Sequence, residues 1–356
     1  MTFRVKTLVG FLLFLILGYI VLYGLQKGHV FYKFNEIQLR NTATEKVTKN
    51  ADNDILLINR YVAVNNPTLI GKEFKFDAPT KLMVQNVLRH QTFKRKPMSI
   101  DPNVPLFDIV APVTGASSNH YEEFKGNIEH FSEHFPGTKV IFYDLGLDDS
   151  QVSKVKTLSF AVYRKFNFDA YPPHVRNLHN YAWKLLIIQE VLAEFDGVMW
   201  FDTSVKFGRN GTHILERMAR FKTGILFYVG TTGHSILAAT NPGMLKYFPL
   251  KKSDAVKDML YASAIIILNT PDVQKHIMKW ASVCALKKEC IAPPGSRNHC
   301  DRSVYRRNKY ADCHRFDQSL VNILTAHLYN NEQEKYSLKR GNGFAVMNRI
   351  NKWVKS

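Results

Sequence analysis

The first apolar stretch runs from Thr7 to Gln26 and carries no charge. Twenty residues at about 1.5 Å rise span roughly 30 Å, the thickness of a bilayer core. A cleavable signal peptide would have a shorter apolar core of about 7–15 residues and a small-x-small site, and Leu22-Tyr23-Gly24-Leu25 is a poor one. The short basic tail before it, with Arg4 and Lys6, favours a signal anchor: residues 1–6 cytoplasmic, 7–26 in the membrane and the bulk lumenal. Residues 27–105 are irregular and polar-rich, with one helix over Thr80–Arg89, and read as a stem. From 106 to 356 the pattern is that of a folded domain.

Within that domain short apolar runs alternate with helical periodicity. Phe107–Val113 predicts a buried strand, followed by polar Thr114–His120 and a helix over Tyr121–Phe135 that Pro136-Gly137 breaks. Lys139–Tyr143 and Leu158–Tyr163 predict further strands. Asn180 stands where it caps a helix over Tyr181–Phe195, in which Tyr181, Leu185, Ile188, Leu192 and Phe195 share one face. Leu186, Ile187 and Val191 make its other faces apolar too, so it is expected to be buried broadly. Asp196-Gly197 turns the chain into a strand, Val198–Phe201, that ends at Asp202. Thr223–Val229 and Ala262–Leu268 are strand-like; Pro271–Cys284 and Asp317–Tyr329 are helical. This alternation predicts an α/β fold with a doubly wound sheet, whose ligands bind at the carboxyl ends of its strands.

The net charge of +18 points to an anionic partner: nucleic acid, a membrane surface or an anionic substrate. No zinc finger, RNA-binding signature or basic helix accompanies it, so nucleic acid is not the expected partner. A basic surface near membranes and phosphate-bearing substrates fits better. Cys284, Cys290, Cys300 and Cys313 lie close together without a C-x-x-C pair. In an oxidising lumen they form two disulfides, with three connectivities open. Asn210-Gly211-Thr212 is a glycosylation sequon, compatible with the lumen.

Asp202 is the first candidate for chemistry. A carboxylate just past a greasy strand is costly unless paired or bound to a cation, and a divalent metal on a diphosphate would supply that partner. The alternative is a turn aspartate, since Asp-Thr-Ser is also turn chemistry. Lys184, in the first turn of a mostly apolar helix, either meets a phosphate or snorkels to the surface, and Arg164 is read the same way. His234, in the polar stretch Gly230–Ser235, contacts substrate or is simply exposed. His314, directly after Cys313, is a metal ligand or a structural residue. No G-x-G-x-x-G is present, which argues against an ordinary dinucleotide site. No G-x-S-x-G or H-E-x-x-H is present either, so a lumenal hydrolase ranks low.

The segment Trp200-Phe201-Asp202-Thr203-Ser204 resembles the glycosyltransferase-A fold at its DXD motif, with Ser204 in place of the second acid. Leu260–Asn269 is similar to the F-N-A-G-V-x-L-x-N tract of glycogenin-like, galactosyltransferase-type enzymes, with Ala262 and Ala264 where Asn and Gly are usual. His314–Asn322 is similar to their D-Q-x-x-x-N stretch. Tyr163-Arg164-Lys165-Phe166, Tyr171-Pro172 and Tyr181-Ala182-Trp183-Lys184 resemble tracts of an uncharacterised animal family of anchored proteins. The ordered set covers roughly Phe107–Leu328. It implies a Rossmann-like glycosyltransferase-A domain behind an anchor and stem, in the Golgi or ER, that moves a sugar from a nucleotide-sugar donor to a glycan or protein acceptor.

By that resemblance Asp202 and Ser204 hold donor phosphates with a divalent cation, Mn2+ by expectation, to which His314 is a second candidate ligand. Thr114 lies where the base docks, Ser263 lines the sugar pocket with Gln318 nearby, and Asp317 orients sugar or acceptor. Catalysis is thus assigned to Asp202 and Asp317. The departures at Ser204, Ala262 and Ala264 support a rival reading, an inactive glycosyltransferase-like lectin or chaperone.

Overall fold

The structure is a computed structural model and describes residues 74–89, 101, 103–208, 213–300 and 310–347. The expected cytoplasmic tail, membrane anchor, most of the stem and the sequon at Asn210 lie outside the described residues. Among those described, no helix is long and apolar enough to cross a membrane. Helix α1 (Ala78–Arg89) falls inside the expected stem, yet its Val84 belongs to the main core. Phe74, just before it, packs its ring 4.8 Å from Tyr247 and 6.0 Å from Trp280. From Phe74 onward, then, part of that segment is built into the domain.

The domain is organised by a six-stranded sheet. Strands β1 (Val110–Ala116), β2 (Val140–Asp144), β3 (Ala161–Lys165) and β4 (Gly197–Phe201) are mutually parallel where they pair, and β2 lies between β1 and β3. Between them run α2 (Tyr121–His134), α3 (Asp149–Lys156) and α4 (Ala182–Leu192). A short strand β5 (Val205–Phe207) follows, then α5 (Ile214–Phe221) and β6 (Ile225–Phe227). Strands β7 (Thr231–Ser235) and β8 (Asp258–Leu260) pair in a small sheet of their own. Strand β9 (Ala264–Leu268) completes the large sheet, antiparallel to both β4 and β6. The order is β3-β2-β1-β4-β9-β6. A continuous helical run follows, Pro271–Val273 and a π turn over Gln274–Met278 leading into α6 (Lys279–Ala285). Helix α7 (Phe316–Leu328) and strand β10 (Ala345–Met347), antiparallel to β5, close the described chain.

Strands β2, β4 and β9 are buried at every position, as expected of strands covered on both faces. The two-residue period of a strand sorts their side chains. Val198 and Trp200 of β4 join the core with α4, α6 and α7; Met199 and Phe201 join the opposite core with α2 and α5. Val273, Ile277 and Trp280, the face expected of the helical run, are all buried.

Several boundaries differ from expectation. Residues Leu106–Ile109 form a helical turn after Pro105, so β1 starts at Val110 and Thr114 lies inside the strand. Helix α4 starts at Ala182. Tyr181, in the left-handed region at φ 53°, takes the N-cap position without a side-chain cap. Asn180 ends a short 3-10 turn and donates instead to the His174 carbonyl at 3.1 Å. The stretch around His234 is strand β7 rather than a loop. The cysteines pair as Cys284–Cys290 and Cys300–Cys313.

Candidate functional site

Three segments distant in sequence converge just beyond the carboxyl end of β4. Asp202 follows Trp200 by two residues, and the two side chains meet: Trp200 Nε1 donates to Asp202 Oδ1 at 2.7 Å. The face of β4 that bears Trp200 packs on α4, which carries Lys184. Lys184 Nζ lies 3.1 Å from Asp202 Oδ1, 3.0 Å from Asp317 Oδ2 and 2.8 Å from the Ala262 carbonyl. It also lies 5.3 Å from the Trp200 ring centre. An ammonium has three N–H donors, and this cage of three oxygens employs all of them.

A cation in the first turn of a helix opposes the macrodipole at a cost of about 0.3–1 kcal/mol, and burial adds several kcal/mol more. The two carboxylates offset these terms. Burial by itself would lower the Lys184 pKa, but the pull of Asp202 and then Asp317 outweighs it and holds the ammonium above its ordinary value. Burial pushes the Asp317 carboxyl above the usual range, against the pull of Lys184. Asp202 is the member that reaches solvent, its side chain 37% exposed against 8% for Asp317 and 3% for Lys184.

The triad lines a small cleft of about 100 Å3, below the usual range for a small-molecule site of about 300–1,000 Å3. Ser204, Ser263 and Gln318, named from the sequence, are on its walls. Gln318 Oε1 accepts from the Ala262 N–H at 3.3 Å. One turn on, Asn322 accepts from the Leu260 N–H at 2.8 Å and donates to its carbonyl at 2.9 Å. The Asp-Gln-x-x-x-Asn pattern therefore fixes the backbone of 260–262 while aiming Asp317 at Lys184. Ser263 Oγ lies 3.0 Å from the Met347 sulfur, brought there by β10.

Five further wall residues were not singled out in the sequence: Tyr181, Tyr261, Asn298, Arg315 and Met347. Tyr181 and Phe316, next to the triad in sequence, both have positive φ, 53° and 43°, and their rings lie 5.9 Å apart. Bulky residues there cost about 1–3 kcal/mol each, and such strain clusters at functional sites. Asn298 and Arg315 flank Cys300 and Cys313, and Arg315 also lies in the His314–Asn322 stretch. Arg315 is half-buried, and its buried Nε has no hydrogen-bond partner.

Four candidates lie elsewhere or are spent. Arg164 forms a two-pronged ion pair with Glu194 at 2.7 and 2.8 Å and donates to the Tyr143 hydroxyl, away from the cleft. Thr114 is fully buried within β1, not at its mouth. His234 is buried, with Nδ1 3.3 Å from the Ser235 carbonyl. His314 uses both ring nitrogens on the backbone: Nδ1 accepts from the Asn241 N–H at 3.1 Å and Nε2 donates to the Ile291 carbonyl at 3.1 Å. Burial lowers its pKa to about 4. It is a neutral structural histidine with no lone pair left for a metal.

The residues present do not fit the expected divalent cation. Among the described residues no group of three or more His, Cys, Asp or Glu side chains could hold one. The hard oxygens that do converge, on Asp202, Asp317 and Ala262, all face Lys184 Nζ. Two carboxylates and one fixed ammonium present one net negative charge, half of what two unpaired acids would offer.

Comparison with known proteins gives one family model, described as a protein of unknown function (DUF1647), which matches residues 58–189. That span includes Lys184 but neither Asp202 nor Asp317. No curated protein matches. Among solved structures the chain is similar to the galactosyltransferase LgtC bound to donor and acceptor sugar analogues, with 14% identity, 67% of this chain and 87% of that one covered, and a TM-score of 0.39. It is similar to the bifunctional glycosyltransferase WbbM in its apo form, with 13% identity, 62% and 38% covered, and a TM-score of 0.39. It is also similar to core-mannan synthase A from Aspergillus fumigatus in a Mn/GDP form, with 8% identity, 65% and 76% covered, and a TM-score of 0.35.

Proposed function

We propose that this chain is a glycosyltransferase that moves a sugar from a nucleotide-sugar to a glycan or protein acceptor. It is a single-pass type II protein of the Golgi or ER membrane with its catalytic domain in the lumen. The observation that carries the activity is the meeting of Lys184, Asp202 and Asp317 in one cleft past the carboxyl end of β4, where doubly wound sheets bind ligands. The uncharged run Thr7–Gln26 and the two disulfides support the location.

In such a transfer the bond from the anomeric carbon to the diphosphate breaks and a bond to an acceptor oxygen forms. The acceptor's proton passes to a base at the cleft, the role open to the exposed Asp202 carboxylate, and negative charge grows on the departing diphosphate. Preorganised cations aimed at that charge are the main catalytic resource. Arg315 is a cation on the cleft wall, and Lys184 contributes its charge beside the two carboxylates. Asp202, the exposed acid, is available to sugar hydroxyls, while Asp317 is held in place by Lys184.

The test is binding and hydrolysis of UDP-, GDP- and CMP-sugars by the purified full chain, beside Asp202→Ala. Turnover of one donor that the variant loses supports the transferase. A well-folded protein that binds a sugar but turns over no donor moves the reading to the lectin-like alternative.

A further inference from the structure

Glycosyl transfer needs positive charge beside the leaving diphosphate, and this site already has a cation built into it. Lys184 Nζ sits among Asp202 Oδ1, Asp317 Oδ2 and the Ala262 carbonyl at 2.8–3.1 Å. Three oxygens from three segments around one centre form a ligand cage, and its occupant is an ammonium. Ser204 stands where a second acid would raise the negative charge, and a hydroxyl adds none. Lys184 is not a surface lysine that happens to bend inward: its side chain is 3% exposed and all three donors are used. Arg315, with a buried Nε that lacks a partner, lies on the wall of the same cleft.

We infer that Lys184 is the resident cation of the site, holding between Asp202 and Asp317 the place a divalent metal would take, so that the donor diphosphate is bound and released without a metal ion. This rests on the transferase reading. Lys184 acts as a positioning residue: its charge fixes the two carboxylates and offsets half of their negative charge, while Arg315 makes the direct phosphate contact. The ligand class is a nucleoside diphosphate and its sugar esters. Removing the ammonium should turn the cage into a metal site, because two carboxylates and a carbonyl, all hard oxygens, are then left facing one another.

The test uses the full chain, with UDP and GDP as probes, in chelator and in millimolar Mn2+. In the native protein, nucleotide affinity in chelator should stay within about twofold of that in Mn2+, far below the tenfold that marks a lost contact. Mn2+ alone should leave the melting temperature unchanged. In Lys184→Met, which keeps the buried volume, affinity in chelator should fall by about tenfold or more. Mn2+ should restore it and raise the melting temperature, a gain that loss of a merely structural lysine would not produce. If Lys184→Met does not fold, the native comparison decides alone. Nucleotide binding by the native protein that disappears in chelator overturns the resident cation and leaves the transferase standing. Absence of nucleotide binding in both buffers overturns the transferase and this inference with it.

Discussion

Lys184 Nζ stands 3.0 Å from Asp317 Oδ2, with both side chains buried, and Asp202, the third member, is the most exposed of the three. A buried pair is costly to make and costlier to break, because removing one partner leaves the other as an uncompensated charge. Asp317→Ala should therefore lose about 3–5 kcal/mol of stability in denaturant unfolding. Asp202→Asn keeps an acceptor for Trp200 Nε1, and the Asp202 side chain is 37% exposed and so partly screened, so a smaller loss than in Asp317→Ala is expected. Equal losses for the two variants would mean that the triad is not divided into a buried and an exposed half.

His314 makes a pH prediction. Its folded pKa of about 4 lies below the ordinary 6.5, so between those values the unfolded chain binds the extra proton. Its contribution to stability is complete above about pH 6.5 and is lost as pH falls towards 4, by at most about 3 kcal/mol. In His314→Gln the unfolding free energy should fall less steeply across this window than in the native protein. Parallel pH profiles would contradict the assignment of His314 as a neutral, backbone-bound residue.

Much of this site was legible because its main signals are local. The all-round apolar pattern of α4 marked it as buried, and that made a lysine at position 184 and an acid after β4 conspicuous. What periodicity cannot show is a partner far along the chain. Arg164 looked like a free cation, and Glu194, which binds it, lies on another element. His314 looked available to a metal because the carbonyl of Ile291 and the amide of Asn241 carry no sequence signature. Thr114 was misplaced by a boundary: Leu106–Ile109 is as apolar as a strand, but after Pro105 it turns as a helix. Met347 and Arg315 reach the cleft only through the pairing of β10 with β5 and the disulfide-bracketed segment before α7.

That segment carries the third prediction. Cys300–Cys313 closes a loop between Asn298 and Arg315, both on the cleft wall. A loop of this length contributes about 3 kcal/mol by restricting the unfolded chain. Replacing Cys300 and Cys313 together by serine should lower stability by about that much and weaken UDP or GDP binding measured below the new melting temperature. The same change at Cys284 and Cys290, which lie away from the cleft, should reduce stability and leave nucleotide affinity unchanged. Equal loss of affinity in both double variants would show that the effect is general destabilisation.

Asn322 tests whether α7 positions the opposite wall. Its side chain is buried, accepts from the Leu260 N–H and donates to the Leu260 carbonyl. Gln318, one turn earlier, accepts from the Ala262 N–H. Asn322→Leu fills nearly the same volume but strips partners from two buried backbone groups, at about 1–3 kcal/mol each. The Leu260–Ala262 backbone should then move to recover hydrogen bonds, carrying with it the Ala262 carbonyl that holds Lys184 and the Ser263 hydroxyl on the wall. Two readouts should move together in Asn322→Leu: unfolding free energy falls, and nucleotide affinity falls in the folded protein at low temperature. Gln318→Met, which loses the 3.3 Å contact to the Ala262 N–H and a weak 3.0 Å contact to the Met259 sulfur, should show both effects in smaller measure. An Asn322→Leu protein of reduced stability with native nucleotide affinity would mean that the wall of the cleft is set by β9 itself and that the Asp-Gln-x-x-x-Asn pattern serves only the fold.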